Sequence, residues 1–314
     1  MNKTNIYIAS YNILADHYCS NEIFPFSEKG ATDVDKRRKL LKKELLSLMN
    51  ISSNKKVILC LQEMSNNQFD DLELWFLNNN YDSIYFPNEI NYGGNLGVCI
   101  CYPTNKYNIL KIKRYVIEDN TKLIRKSIAY FLNTTRKHLL LVKIKDKESD
   151  KPFIVGTTHL SADPKITDVK LWQAGICCRL IKEFNKDKLP IILAGDFNSL
   201  PESSVYYFIT NGKVKKDDEN RLPIPEELYE HNLNLTSSMK KINGQEPEFT
   251  NYAHQARNEK IFIGTLDYIF VSPEFKISKA LPIPKLSIIK KKYKSFPSKS
   301  HSSDHIPILV KLTL

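Results

Sequence analysis

Ile191-Ile192-Leu193-Ala194-Gly195-Asp196-Phe197-Asn198-Ser199 is a short apolar run that ends in a carboxylate and an amide. Bounded by polar clusters, the run reads as a strand with Asp196 and Asn198 just past its apolar part. The arrangement recurs on either side of it. Asn12 stands near the end of an apolar run in Ser10-Tyr11-Asn12-Ile13-Leu14, and Glu63 closes another in Leu61-Gln62-Glu63. His159 closes a third in Thr157-Thr158-His159-Leu160. Asp267 lies in Leu266-Asp267-Tyr268-Ile269, and Asp304 and His305 precede the last run in Ser303-Asp304-His305-Ile306-Pro307. Polar residues at the ends of neighbouring strands converge on one edge of a sheet, where a rigid frame can hold a site.

Further strand-like runs lie at Gly97–Tyr102, Ile109–Val116, Arg125–Leu132 and His138–Ile144. Helical spacing appears at Asp35–Met49, at Ser65–Leu77 with Ser65 as N-cap, at Asp168–Phe184, and at Ser203–Thr210 after Pro201. Strands in direct succession, with few helices among them, predict packed sheets flanked by helices rather than a simple βαβ winding. No repeat and no Gly/Ser/Pro-rich linker divides the chain, so one domain over residues 1–314 is expected.

The 314 residues carry 46 Lys+Arg against 35 Asp+Glu, a formal charge of +11, and 42% are apolar. That composition excludes a disordered tail, a collagen-like fibre and a disulfide-stapled miniprotein. No run of apolar residues is long enough to span a bilayer, and no secretion signal is read at the N-terminus. The expectation is a monomer in the cytoplasm, with the nucleus as the alternative. The six cysteines show no paired metal-site spacing and read as buried, reduced thiols. The positive excess favours a polyanionic partner. It is clumped at Lys36-Arg37-Arg38-Lys39 and between Lys285 and Lys299, where lysines, Lys291 and Lys292 at their centre, alternate with Tyr293 and Phe296. Such a run suits a nucleic-acid strand, and equally a solvated loop.

Taken singly, each strand-end residue has a plain structural reading. Glu63 could start a helix, Asp196 could cap a turn, His159 could be a satisfied core histidine, and Asp267 could pair with a lysine. Together they describe a specific chemistry. Glu63, Asp196 and Asn198 are hard oxygen donors that suit Mg²⁺, or Mn²⁺, rather than zinc. His305, beside Asp304 and within reach of Asp267, has the makings of an oriented imidazole. Carboxylates, an amide and two histidines around such a cation form a phosphoester-cleaving site. GxSxG, Walker, GxGxxG and HExxH motifs are all absent.

The blocks Tyr11-Asn12-Ile13-Leu14, Leu61-Gln62-Glu63, Thr157–Leu160, Gly195–Ser199, Leu266–Ile269 and Ser303-Asp304-His305 resemble, in the same order, those of the endonuclease/exonuclease/phosphatase superfamily. Residues 159–173, 195–213, 231–252 and 262–269 are similar to the carbon-catabolite-repressor-type mRNA deadenylases, with Angel, nocturnin and 2′-phosphodiesterase as relatives. The resemblance implies an α/β (α+β) fold, a four-layer αββα sandwich of two mostly antiparallel sheets flanked by helices. It implies Glu63 as the main metal ligand, with Asp196 and Asn198 at a second metal or the attacking water. His159 would contact the scissile phosphate, and Asp267 would orient His305. Asp304 would support the metal side, and Asn12 the metal and phosphate geometry. Pro164 and Phe262 match positions that pack on a terminal adenine, although Pro164 equally suits a helix start. Ser161 and Ala162 stand where deadenylases often carry His and Trp. The stretch Ala253–Ile261 is longer than its counterpart.

The expected activity is Mg²⁺-dependent 3′-to-5′ shortening of a poly(A) tail with release of 5′-AMP. The expected partners are RNA, a deadenylase complex or RNA-binding proteins, and no membrane. The alternatives keep the site and change the substrate, to 2′,5′-oligoadenylate or the 2′-phosphate of NADP, or make the chain a non-catalytic RNA-binding module.

Overall fold

The computed structural model describes residues 3–51, 57–87, 96–119, 136–222 and 226–314. The run expected at Arg125–Leu132 lies outside them. In chain order the strands are β1 (Asn5–Asn12), β2 (Val57–Met64), β3 (Tyr81–Phe86), β4 (Gly97–Pro103), β5 (Tyr107–Val116), β6 (His138–Asp146) and β7 (Pro152–His159). After these come β8 (Ile191–Asp196), β9 (Thr236–Ser237), β10 (Asn251–Ala253), β11 (Phe262–Gly264), β12 (Asp267–Val271), β13 (Lys276–Ala280) and β14 (Ile308–Thr313). The helices are α1 (Val34–Met49), α2 (Asn66–Asn78), α3 (Thr167–Phe184), α4 (Ser204–Asn211), α5 (Ser238–Asn243) and α6 (Leu286–Lys292).

The strands form two six-stranded sheets, ordered β13-β14-β1-β2-β4-β3 and β5-β6-β7-β8-β12-β9, with β10 and β11 as a separate pair. Within each sheet the pairing is antiparallel except at one place, β1 with β2 and β7 with β8. The inner faces meet in a shared core in which Ile8, Ile58 and Ile100 oppose Val142, Ile192 and Ile269. On the far side of the first sheet, α1 and α2 bury Leu41, Leu45 and Phe76 against Ala9, Leu59 and Cys99. On the far side of the second, α3 and α4 bury Trp172, Ile176 and Phe208 against Leu141 and Leu193. The order of layers is therefore helix, sheet, sheet, helix, as the resemblance implied.

Burial on both faces explains why the strands read as unbroken apolar runs instead of alternating ones. In β8, Ile192 and Ala194 enter the central core while Ile191 and Leu193 face α3. The helix starts are local. Ser65 and Gln68 form a reciprocal capping box at α2, and the Asp33 side chain accepts from the Lys36 amide at α1. All six cysteines are buried and unpaired, as expected.

The parallel pairs carry the C-terminal ends of β1, β2, β7 and β8 to one end of the sandwich. The antiparallel β12 and β14 bring their N-terminal ends to that same place. Close approach of β7 and β8 there depends on Gly195, where an added Cβ would meet the Thr158 carbonyl oxygen at 2.2 Å. Backbone cannot yield as a side-chain tip can. Gly195→Ala is therefore expected to lower unfolding free energy by about 2–3 kcal/mol, as overpacking does. Urea denaturation checks this, and a variant as stable as the wild type would refute the close contact.

Candidate active site

Strand periodicity delivers most of the site. Asn12, His159, Asp196 and Asp267 share the phase of the inward-facing core residues on β1, β7, β8 and β12. They stand one inward position beyond the last apolar one on β8 and β12, and two beyond it on β1 and β7, where Ser10 and Thr157 intervene. At the end of the sandwich the same face that buries isoleucine further in presents polar side chains. Register pairs His159 with Asp196, and Asp196 with Asp267, across adjacent strands.

Glu63 is out of phase. On β2 the inward positions are Ile58, Cys60 and Gln62, so Glu63 would face the helices on a regular strand. The register instead shifts between Gln62 and Met64, and Glu63 adopts a left-handed φ of 56°. Such a bulge re-aims the side chain, and a non-glycine residue holds that backbone only when its surroundings fix it.

Asn12 lies at the centre, fully buried. Its Nδ2 donates to Glu63 Oε1 at 3.0 Å and to Asp196 Oδ2 at 2.9 Å, while its Oδ1 accepts from the Leu14 amide at 3.0 Å. Asn12 thus bridges the two carboxylates through hydrogen bonds. Glu63 Oε2 accepts from the Ala15 amide at 3.3 Å. His159 Nε2 stands 3.9 Å from Glu63 Oε1 and 3.6 Å from Asp196 Oδ2, with no hydrogen-bond partner. His305 Nε2 is 3.6 Å from the same Asp196 oxygen, and its Nδ1 is 2.7 Å from Asp267 Oδ2. The amides of Leu266 and Asp267 both donate to Thr250 Oγ1, which fixes the backbone behind that carboxylate.

The electrostatics follow from burial and sign. Asp196 is pushed up to about 7, first by burial and then by Asp267, against the pull of His305 and Asn12. Glu63 is raised by burial and by Asp304. His159 is driven well below its ordinary value by burial, with Lys137 and His305 adding to the effect. Burial lowers His305 too, but Asp267, Asp196 and Asp304 outweigh it and hold the imidazole well above its usual range. The pocket pairs a neutral histidine with a cationic one.

Glu63, His159 and Asp196 offer donor atoms within 4.8 Å of one another, as do Asp196, Asp267 and His305. The two carboxylates of the first trio fit a divalent cation: Asp196 is buried and Glu63 half-buried, burial raises both, and Asn12 holds them side by side. Asp304 belongs to neither trio. Its Oδ2 accepts from Asn251 at 3.2 Å, and it lines the cleft beside Glu63. Asn198 holds a left-handed φ of 46°, donates its amide N–H to Asp196 Oδ1 at 2.8 Å and its side-chain nitrogen to Leu160 O at 3.0 Å.

These residues open on a cleft of about 910 Å³. Pro164 and Phe262 line it, and α3 begins at Thr167, so Pro164 does not start the helix. Lys291 and Lys292 are not among its lining residues. They sit on α6, which turns Ile289 inward and leaves its lysines to solvent. Reading the sequence alone missed three cations. Lys170 lines the cleft and donates to Asn198 O at 2.8 Å. Burial lowers Lys137, while Glu118, Glu63 and Asp196 raise it. Arg37, read as part of a basic surface clump, is 2% exposed and points inward.

The profile of the Endonuclease/Exonuclease/phosphatase family matches residues 9–305, which take in both trios. The chain belongs to this family. It is 30% identical to human 2',5'-phosphodiesterase 12 over 96% of its own length and 51% of that protein's. It is 28% identical to the CCR4-Not complex 3'-5'-exoribonuclease subunit Ccr4 of Candida glabrata, over 98% of its own length and 37% of the other's. The chain spans about half, or less, of these curated relatives. Among solved structures, ANGEL2, a 2',3'-cyclic phosphatase, aligns over 100% of this chain and 97% of its own, with a TM-score of 0.81 and 22% identity. The human Nocturnin catalytic domain aligns over 99% and 96%, with a TM-score of 0.65 and 20% identity. These structures share the fold.

Proposed function

We propose that this family member is a Mg²⁺-dependent phosphodiesterase that removes nucleotides from the 3′ end of poly(A) RNA. The observation that carries the reading is the meeting of an acidic pair, Glu63 and Asp196, with the Asp267–His305 couple across a single Asp196 oxygen. In that arrangement a cation held by the acids and the His305 imidazolium would face one phosphate from two sides.

A divalent cation held by Glu63, with Asp196 and Asn198 as further donors, would neutralise charge on the phosphoryl oxygens. Neutral His159 directs its free nitrogen at a non-bridging oxygen. Asp196 accepts from the attacking water and aligns it. His305, kept protonated by Asp267, donates to the phosphoryl group as charge builds there. Water adds to phosphorus as the bond to the 3′ oxygen of the preceding nucleotide breaks. The proton of the attacking water passes to Asp196 and on to solvent, the leaving oxygen takes a proton from solvent and departs as a hydroxyl, and 5′-AMP is released. Pro164 and Phe262 supply apolar faces on which a terminal adenine packs.

The relatives are named for two linkages, one as a 2',5'-phosphodiesterase and the other as a 3'-5'-exoribonuclease, which supports a nucleotide phosphodiester as the substrate class. The formal charge of +11 favours the longer polyanion. Side-by-side turnover of 5′-labelled oligo(A), 2′,5′-oligoadenylate and NADP with Mg²⁺ decides between them. The expected result is a ladder of oligo(A) shortening from its 3′ end. Faster release of AMP from 2′,5′-oligoadenylate would move the assignment to that linkage, and no turnover of any of the three would refute the reading.

A further inference from the structure

Helix α1 buries a stripe of Leu41, Leu45 and Leu48 against the first sheet. Arg37 continues that stripe where another apolar residue would satisfy it. A buried guanidinium is costly unless its donors are met; here both Nη groups reach two loops, while Nε is left without a partner. Arg37 Nη1 donates to Ile13 O at 3.2 Å and Ser302 O at 2.8 Å. Its Nη2 donates to Leu14 O at 2.7 Å and Asp16 Oδ1 at 2.5 Å. Leu14 is held in a left-handed φ of 56°, an unusual backbone for a branched side chain. This pinned turn sends the Leu14 amide to Asn12 Oδ1 and the Ala15 amide to Glu63 Oε2.

Two turns along α1, Glu44 grips the second loop. Its Oε1 accepts from the Ser302 amide at 3.1 Å and lies 2.9 Å from His301 Nδ1. Its Oε2 accepts from Tyr11 Oη at 2.9 Å and Ser302 Oγ at 2.5 Å. His301 Nε2 in turn meets the carbonyl oxygen of His305 at 2.6 Å. Ser303 Oγ closes the circuit by donating to Asn12 O at 2.7 Å and accepting from the His305 amide at 3.1 Å.

We propose that α1 clamps the active site: Arg37 and Glu44 are positioning residues that fix the turn supplying amide donors to Asn12 and Glu63 and the loop that aims His305. Neither touches the cleft. Each acts through backbone held at two points, which is how a displacement well away from the reacting atoms becomes a loss of rate. Lysine cannot replace Arg37, because one ammonium does not span the carbonyls of two loops.

The test is a double-mutant cycle read on bis(p-nitrophenyl) phosphate with Mg²⁺, a diester indifferent to nucleotide preference. Its rate readout rests on the hydrolase reading above. Glu44→Gln is expected to lower kcat about 10-fold in the wild type but less than about 2-fold in a His305→Asn background. Arg37→Lys and Arg37→Met are expected to lose rate alike. Amide hydrogen exchange gives a readout free of catalysis: Ala15 and Ser302 should exchange faster in the three helix variants while amides of β8 keep their protection. If Glu44→Gln does not fold, His301→Asn breaks the same chain one link on and must show the same coupling. Equal losses in both backgrounds, or unchanged exchange at Ala15 and Ser302, overturn the clamp. Absence of wild-type turnover counts against the hydrolase reading, and exchange alone then decides the clamp.

Discussion

Asp196→Asn is expected to reduce turnover by about 10³-fold or more while making the metal-free protein more stable at pH 8. The loss follows from position. Asp196 belongs to both donor trios, receives Asn12 Nδ2 and the Asn198 amide, and shares one oxygen with both histidines. The gain follows from linkage. Its carboxyl is raised from 3.8 to about 7 by burial and by Asp267, so the folded protein binds that proton more tightly than the unfolded chain. The stabilisation is complete below the unfolded pKa and is lost as pH rises through about 7. At pH 8 the ionised wild type thus forgoes on the order of 2–4 kcal/mol. A neutral asparagine recovers part of it, since its amide nitrogen cannot accept from Asn12 Nδ2 or the Asn198 amide as the carboxylate oxygen does. Thermal melts in chelator at pH 5 and pH 8 should show the variant gaining on the wild type only at the higher pH. A rate within about 10-fold of wild type, or a variant less stable at pH 8, would contradict the role given to this residue.

An active site that strains its own scaffold in this way is stabilised elsewhere, and the sandwich shows where. The trios sit at the rim of a central core common to both sheets, so the frame that holds the charges together is itself buried. Side chains at the ends of buried strands are aimed by backbone that cannot move independently.

That geometry also decides what could be read from the sequence. Strands buried on both faces leave unbroken apolar runs, so β1, β2, β4, β7, β8 and β14 were legible, and so were the polar residues that end them. The edge strand β5 was still read, at Ile109–Val116, but the edges of the first sheet carry no such signature. In β3, at the rim of the first sheet, only Tyr81 and Ile84 are buried, and β13 at its other edge, Lys276–Ala280, has none. Helix α6 was hidden among lysines because it buries Ile289 alone. Glu63 was found as the end of a run, but the bulge that turns it inward leaves no local mark. Arg37 was misread for a related reason. Four consecutive cations suggest a solvated face, and what buries one of them is a set of carbonyls at positions 13, 14 and 302, whose proximity only the fold creates.

Asp267→Asn is expected to lower kcat by about 10²–10³-fold and to move the alkaline limb of the rate profile to lower pH. Asp267 is 1% exposed, and its Oδ2 is the close partner of His305 Nδ1. After the opposing effect of burial, Asp267 is the first cause of the raised His305 pKa, ahead of Asp196 and Asp304. Removing its charge therefore lets the imidazolium lose its proton at lower pH, and activity that needs the cation falls away sooner as pH rises. Asparagine has nearly the same shape, and Thr250 Oγ1 still holds the backbone amides of residues 266 and 267, so the fold should survive. KM for the oligonucleotide should change little, since Pro164 and Phe262 are untouched. The discriminating measurement is kcat against pH for both proteins. Unchanged alkaline limbs, with kcat reduced by a constant factor, would mean that Asp267 orients His305 without charging it. A kcat within about 2-fold of wild type would remove His305 from the chemistry altogether.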